Sequence, residues 1–221
     1  MAESTATPAD EGSVDLTREE ALGRIAELEA ISSEQHEEIG MLRLQLEMLS
    51  ATDVVTGLPN FTGIMQTVEK EVARHGRTRE TFGLMTVEIP ALRRIELHGQ
   101  HALHDALRHC GAMISAGLRQ SDTVGRIDET TFVASLPMMS KPGATAVVHR
   151  IDTNLQAMAL TFEDETFKLI SQFAVIFCGE DLSSSAEELM ADLTEQRRKA
   201  VPGAPVIVSP TDEAGKVDKL S

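Results

Sequence analysis

The chain has 221 residues and 24.0 kDa, 42% hydrophobic and 25% charged, which accommodates one domain of about 150 residues plus extensions. Its 20 Lys and Arg stand against 35 Asp and Glu, a formal charge of −15, so the backbone of a nucleic acid or an acidic membrane surface is repelled. Trp and Tyr are absent and aromatics reach only 3%, which leaves no stacking platform for single-stranded bases. No apolar run approaches the roughly 20 residues of a membrane span. The start MAESTATPADEG lacks the basic and apolar regions of a signal sequence, so the expected location is cytoplasmic. Cys110 and Cys178 are too few for a disulfide framework and lack a CxxC spacing; both are expected in the core.

Residues 1–14 have the composition of a solvated, disordered tail. Residues 15–52 change character: Ile25, Leu28, Ile39, Leu42, Leu46 and Leu49 fall on alternating steps of three and four, with Ser32 and Gln35 filling the gap. That heptad seam predicts a coiled-coil dimerisation helix, with Ile or Leu at a and Leu at d suiting two parallel strands. The same stripe also serves a single helix folded back onto the domain. Residues 1–52 hold twelve acids against three bases, so most of the excess charge lies ahead of the body.

The body alternates. A helix is predicted from Phe61 to His75 with Asn60 as its cap, then a strand over Phe82–Ile89 and a helix over His101–Leu118. Strands Thr123–Ile127 and Thr131–Leu136 flank a turn at Asp128, Glu129 and Thr130. A helix over Pro142–Met158, strands at Ala159–Phe162 and Phe167–Phe177, and a last helix opened by Ser183–Ser185 complete the pattern. The fold class is therefore α/β (α+β), one central sheet flanked by helices. Residues 202–221 are expected as a second disordered tail.

Asp53-Val-Val-Thr-Gly-Leu-Pro-Asn60 resembles the DxLTGLPNR opening of GGDEF domains, which make cyclic di-GMP, with Phe61 in place of the arginine. Arg126-Ile-Asp-Glu-Thr-Thr-Phe132-Val-Ala-Ser-Leu-Pro137 resembles the R-x-GGDEF-x-x-L-L-P hairpin, Phe132 and Pro137 in register. The likeness covers residues 53–201 and implies the nucleotide-cyclase-like sheet behind a coiled coil. The signature itself reads Asp128-Glu129-Thr130-Thr131-Phe132. Glycines let backbone approach phosphates, whereas Asp128 and Glu129 add bulk and negative charge there. Thr130 and Thr131 stand where the family has acids, and a hydroxyl does not supply a carboxylate's charge to a divalent metal. By the same resemblance Glu88 replaces the metal-binding aspartate that ends the first strand, with Pro90 at the second acid. Arg93 stands at the phosphate-facing lysine, and Lys199 is retained in the last helix. Of the guanine-binding stretch, only His101 and Asp105 match. Catalysis is expected to be lost; Glu88, Arg93, Asp105 and Lys199 form a vestigial nucleotide site, with no cofactor, and Mg²⁺ only if residual cyclase activity survives.

Arg119-Gln-Ser-Asp122 lies five residues before the signature, the spacing of the family's RxxD inhibitory site, and Arg150 falls at its second arginine. Guanidinium groups grip phosphate or a guanine edge, and a carboxylate accepts from guanine N–H groups. Arg119 and Asp122 equally suit routine helix-end and turn roles. His98, His101 and His104 repeat every three residues near Asp105; they are expected on a helix surface rather than around a metal. The reading is a catalytically inactive GGDEF-like signalling protein, a homodimer through the coiled coil that binds cyclic di-GMP or an unknown protein partner. A scaffold without nucleotide and an active cyclase with an atypical signature are the alternatives.

Overall fold

The computed structural model describes residues 18–179 and 182–208. The tail at 1–14 therefore lies outside the described residues. Two compact units divide near residue 46. The first holds most of α1, Arg18–Leu49, 32 residues of helix. Leu22, Ile25, Leu28, Ile31, Ile39 and Met41 are all exposed along it. The seam side chains Leu42, Leu46 and Leu49 lie outside the described residues.

The second unit is built on β1, Phe82–Glu88, whose side chains alternate between two cores. Phe82 and Leu84 face one, Met85 and Val87 the other. Burial on both faces explains its almost continuous apolar run. β1 pairs antiparallel with β3, Thr131–Pro137, on one side and with β6, Gln172–Cys178, on the other. β2, Thr123–Arg126, extends the sheet beyond β3, and β7, Val206–Val208, runs parallel to β6 at the opposite edge. The order is β2-β3-β1-β6-β7.

Helices α2, Phe61–Thr78, and α6, Ala186–Lys199, cover the Phe82 face through Ile64, Val68, Leu189 and Leu193. α3, Ala91–Ile95, α4, Gln100–Ala116, and α5, Lys141–Gln156, cover the Met85 face through Leu92, Leu107, Ile114, Val147 and Ile151. Among the described residues, three helix starts are capped by side chains. Asn60 accepts from Gly63 N–H, Ser140 from Gly143 N–H, and Ser185 forms a reciprocal capping box with Glu188. Cys110 and Cys178 are fully buried, one in each core, and burial pushes each thiol up to about 12.

Three expectations are corrected. The single strand over Phe167–Phe177 is two: β5, Glu165–Lys168, and β6 are separated by Leu169–Ser171, where Ser171 Oγ donates to Asp152 Oδ1 at 2.9 Å. β5 pairs with β4, Ala159–Phe162, in a separate two-stranded sheet, so the body has two sheets rather than one. Residues 202–208 are not tail: Val206 and Ile207 are buried, and β7 completes the main sheet. Residues 209–221 lie outside the described residues.

Candidate functional site

The opening motif is a buried brace for the β2–β3 hairpin. Asp53 is 4% exposed; its Oδ1 accepts from Thr56 N–H at 2.7 Å and from Thr56 Oγ1 at 2.6 Å, and its Oδ2 receives Arg126 Nη1 at 2.9 Å. Gly57 closes this turn with φ 72, the left-handed region that favours glycine. Pro59 O accepts from Arg126 N–H at 2.8 Å, and a Cβ on Gly125 would lie 2.6 Å from that same carbonyl. Asp53 and Thr56 are thereby committed to structure.

At the hairpin tip, Asp128 Oδ1 accepts from Thr130 N–H at 2.9 Å, closing the turn. Thr130, Thr131 and Phe132 are buried, Phe132 in the main core, whereas Glu129 is exposed. Glu88 ends β1 directly opposite Thr131. The group that fills this corner is Arg197: its Nη1 donates to Asp128 Oδ2 at 2.8 Å and to Thr131 Oγ1, and its Nε lies 3.9 Å from Glu88 Oε2. Arg93 Nη2 approaches the other Glu88 oxygen at 3.7 Å. Burial raises the Asp128 carboxyl, but the Thr130 N–H, the Arg197 guanidinium and the Thr131 hydroxyl outweigh it and hold it below the usual carboxylate range.

Sequence reasoning singled out Lys199 and missed Arg197. Lys199 Nζ pairs with Glu195 at 2.8 Å on the exposed side of α6, and among the described residues no hydrogen bond or ion pair joins it to Glu88 or the hairpin tip. The legible signal was periodicity: Ala186, Leu189, Met190 and Leu193 are the buried stripe of α6, and Arg197 stands one turn beyond Leu193 on that stripe. Asp105 is drawn to neither Glu88 nor the tip; it pairs with Arg108 at 3.0 Å, which also donates to Val55 O. The three histidines do not share a helix face. His98 lies in a 3-10 turn, half-buried, edge-on to Phe167 and beside Glu163 and Glu165, while His101 lies on α4 and is exposed. Among the described residues no group of three His, Cys, Asp or Glu is placed to hold a metal ion. The residues at the tip do not fit a hard divalent cation, which takes six or more oxygens: the two carboxylates there already face guanidinium groups, and the adjacent Thr130 and Thr131 offer only neutral hydroxyls.

The second cluster lies at the end of α4. Asp122 N–H bonds Arg119 O at 3.0 Å and Asp122 Oδ2 accepts from Arg119 N–H at 2.8 Å, which locks the turn. From α5, Arg150 Nε donates to Gly117 O at 2.6 Å and Asn154 Nδ2 to Met113 O at 3.3 Å, capping the last carbonyls of α4. Gly117 permits this approach, since a Cβ there would meet Ile151 Cγ1 at 2.5 Å. Arg150 thus meets the chain two residues before Arg119. No hydrogen bond or ion pair among the described residues engages the Arg119 guanidinium.

Comparison with known proteins agrees with this architecture. The family model described as diguanylate cyclase, GGDEF domain, matches residues 50–200. The diguanylate cyclase DgcP of Pseudomonas aeruginosa is 29% identical over 119 residues, 53% of this chain and 18% of DgcP, so the match spans under a fifth of that protein. The diguanylate cyclase SiaD of Pseudomonas aeruginosa, solved in complex with its activator SiaC, superposes with a TM-score of 0.63 at 20% identity, covering 85% of this chain and 73% of SiaD. The coiled coil and GGDEF domain of DgcB from Caulobacter crescentus, solved with c-di-GMP, gives 0.59 at 16% identity over 77% of this chain and 92% of that one. At such identities the two structures speak for the fold alone. With the family model matching residues 50–200, 151 of the 221 residues, the chain belongs to the GGDEF family and carries a diguanylate cyclase-like domain.

Proposed function

We propose that this protein is a GGDEF-family signalling protein that does not make cyclic di-GMP and instead binds it through Arg119, Asp122 and Arg150. Support for lost catalysis comes from the hairpin tip, where Arg197 takes up the carboxylates and threonines replace the acids. The observation that carries the binding reading is the Arg150 contact with Gly117 O, two residues before Arg119. It brings Arg150 to the end of α4, two residues from Arg119, whose guanidinium makes no hydrogen bond or ion pair among the described residues, and paired guanidinium groups suit a doubly anionic dinucleotide. The expected assembly is a cytoplasmic homodimer through α1, whose exposed Ile25, Leu28 and Ile39 need a partner surface. No cofactor is expected. DgcB was solved with c-di-GMP and SiaD with a protein activator, so ligand and protein partners both occur among similar structures.

A scaffold that binds no nucleotide is the second reading, favoured by the use of Asp122 Oδ2 and Arg150 Nε in local capping. Incubation with GTP and Mg²⁺ or Mn²⁺, followed by mass-spectrometric detection of cyclic di-GMP, tests the first half: no product is expected, and turnover would establish an active cyclase. A thermal shift with added cyclic di-GMP tests the second, since a ligand specific to the folded state raises the midpoint. An unmoved midpoint at saturating concentrations would favour the scaffold.

A further inference from the structure

Three oxygen-bearing side chains converge beside the tip of the β2–β3 hairpin: Glu88 at the end of β1, Asp128 in the turn and Thr131 at the start of β3. One guanidinium serves all three. We infer that Arg197 is a resident cation, standing in for a divalent metal between Glu88 and Asp128 and closing that place to metal ions. The inference deepens the proposed function and rests on the loss of cyclase chemistry, yet it is tested without GTP.

The charge balance supports it. Glu88 and Asp128 contribute two negative charges, and Arg197 with Arg93 supplies two positive ones, so a further cation gains little attraction. A hard cation binds oxygens at about 2.0 to 2.6 Å and must strip them of other partners. Here it would have to displace a guanidinium whose Nη1 already makes two hydrogen bonds and whose side chain is 22% exposed. Tethering explains why the guanidinium wins. Leu189, Met190 and Leu193 anchor α6 against the sheet, and Arg197 projects from the next turn of the same face, so its charge is supplied by folding rather than by ion concentration. The geometry also locks the tip: Arg126 Nε donates to Asp128 O at 3.0 Å while Arg197 holds the Asp128 carboxylate. The hairpin is thus gripped from both sides by chain groups.

The experiment is calorimetric titration of the full chain with Mn²⁺, comparing wild type, Glu88→Gln, Arg197→Gln and Arg197→Gln combined with Glu88→Gln. The inference predicts no saturable binding by wild type. Arg197→Gln leaves Asp128 without its guanidinium and Glu88 with Arg93 alone, a net negative site, and is expected to gain at least about tenfold in Mn²⁺ affinity, as carboxylates are the preferred hard-cation ligands; the double variant loses that gain. Should Arg197→Gln fail to fold, Arg197→Lys serves, because one ammonium is a point charge that does not bridge like the planar fork, and a smaller gain is expected. Saturable Mn²⁺ binding by wild type that vanishes in Glu88→Gln would overturn the inference. So would Mn²⁺ indifference of a folded Arg197→Gln or, failing it, of Arg197→Lys. Cyclase turnover by wild type would defeat the proposed function separately, whichever way these titrations fall.

Discussion

Asp53 and Arg126 lie 73 residues apart in sequence and meet as a largely buried ion pair at 2.9 Å, with side-chain exposures of 6% and 16%. Through it the opening motif grips the β2–β3 hairpin at its root. Removing one partner of such a pair leaves the other charge uncompensated, at a cost of about 3–5 kcal/mol. Asp53→Ala is expected to fall in that range by urea denaturation. Asp53→Asn, which keeps an acceptor for Thr56, is expected to lose less. Equal losses would place the energy in the charge alone.

Glycine replacements separate close packing from backbone freedom. A Cβ on Gly63 would lie 2.1 Å from Ala51 O, whereas one on Gly76 in the same helix meets nothing within 4 Å. Gly63→Ala forces backbone to move and is expected to destabilise α2 against the opening motif. Gly76→Ala is expected to stabilise by about 0.5–1 kcal/mol, the helix-propensity difference. Thermal midpoints moving in opposite directions would verify both.

Much of the fold was legible because apolar periods map directly onto burial. The helices predicted over His101–Leu118 and Phe61–His75 bring Leu107, Cys110 and Ile114 into one core and Ile64 and Val68 into the other. The β4–β5 hairpin was not legible, since Glu163 and Asp164 carry no glycine or asparagine to mark a turn, although Glu163 adopts φ 52. β7 was hidden by the Pro and Gly flanking three apolar residues, and three residues are too few to show a period. At the tip, the resemblance named Glu88 and Asp128, whose carboxylates meet Arg197. Arg197 itself was missed, because the likeness led to Lys199, and only the α6 stripe pointed two residues earlier.

The Asp128 carboxyl is held low in the folded protein, so it adds stability above its unfolded value of about 3.9 and loses that stability as pH falls through the folded value. Wild type and Asp128→Asn are expected to differ most between pH 5 and neutrality and to converge in acid. Denaturation midpoints across that range check it; a constant gap at all pH values would remove Asp128 ionisation as the source.

The exposed side chains Ile25, Leu28 and Ile39 on α1 predict self-association. Light scattering is expected to give twice the 24.0 kDa chain mass, and Ile25→Asp combined with Leu28→Asp to halve it while leaving the thermal midpoint of the GGDEF domain in place. A monomeric wild type would assign the seam to another partner.

Calorimetric titration of the wild-type protein and Arg119→Ala with cyclic di-GMP, at moderate salt, tests the central claim most directly. Saturable binding by wild type and at least about a tenfold loss in the variant are expected, a charged contact to phosphate or guanine being worth roughly 1.5–3 kcal/mol. Equal binding by both, or no heat from either, would contradict it and leave Arg119, Asp122 and Arg150 as the caps and turn residues of α4.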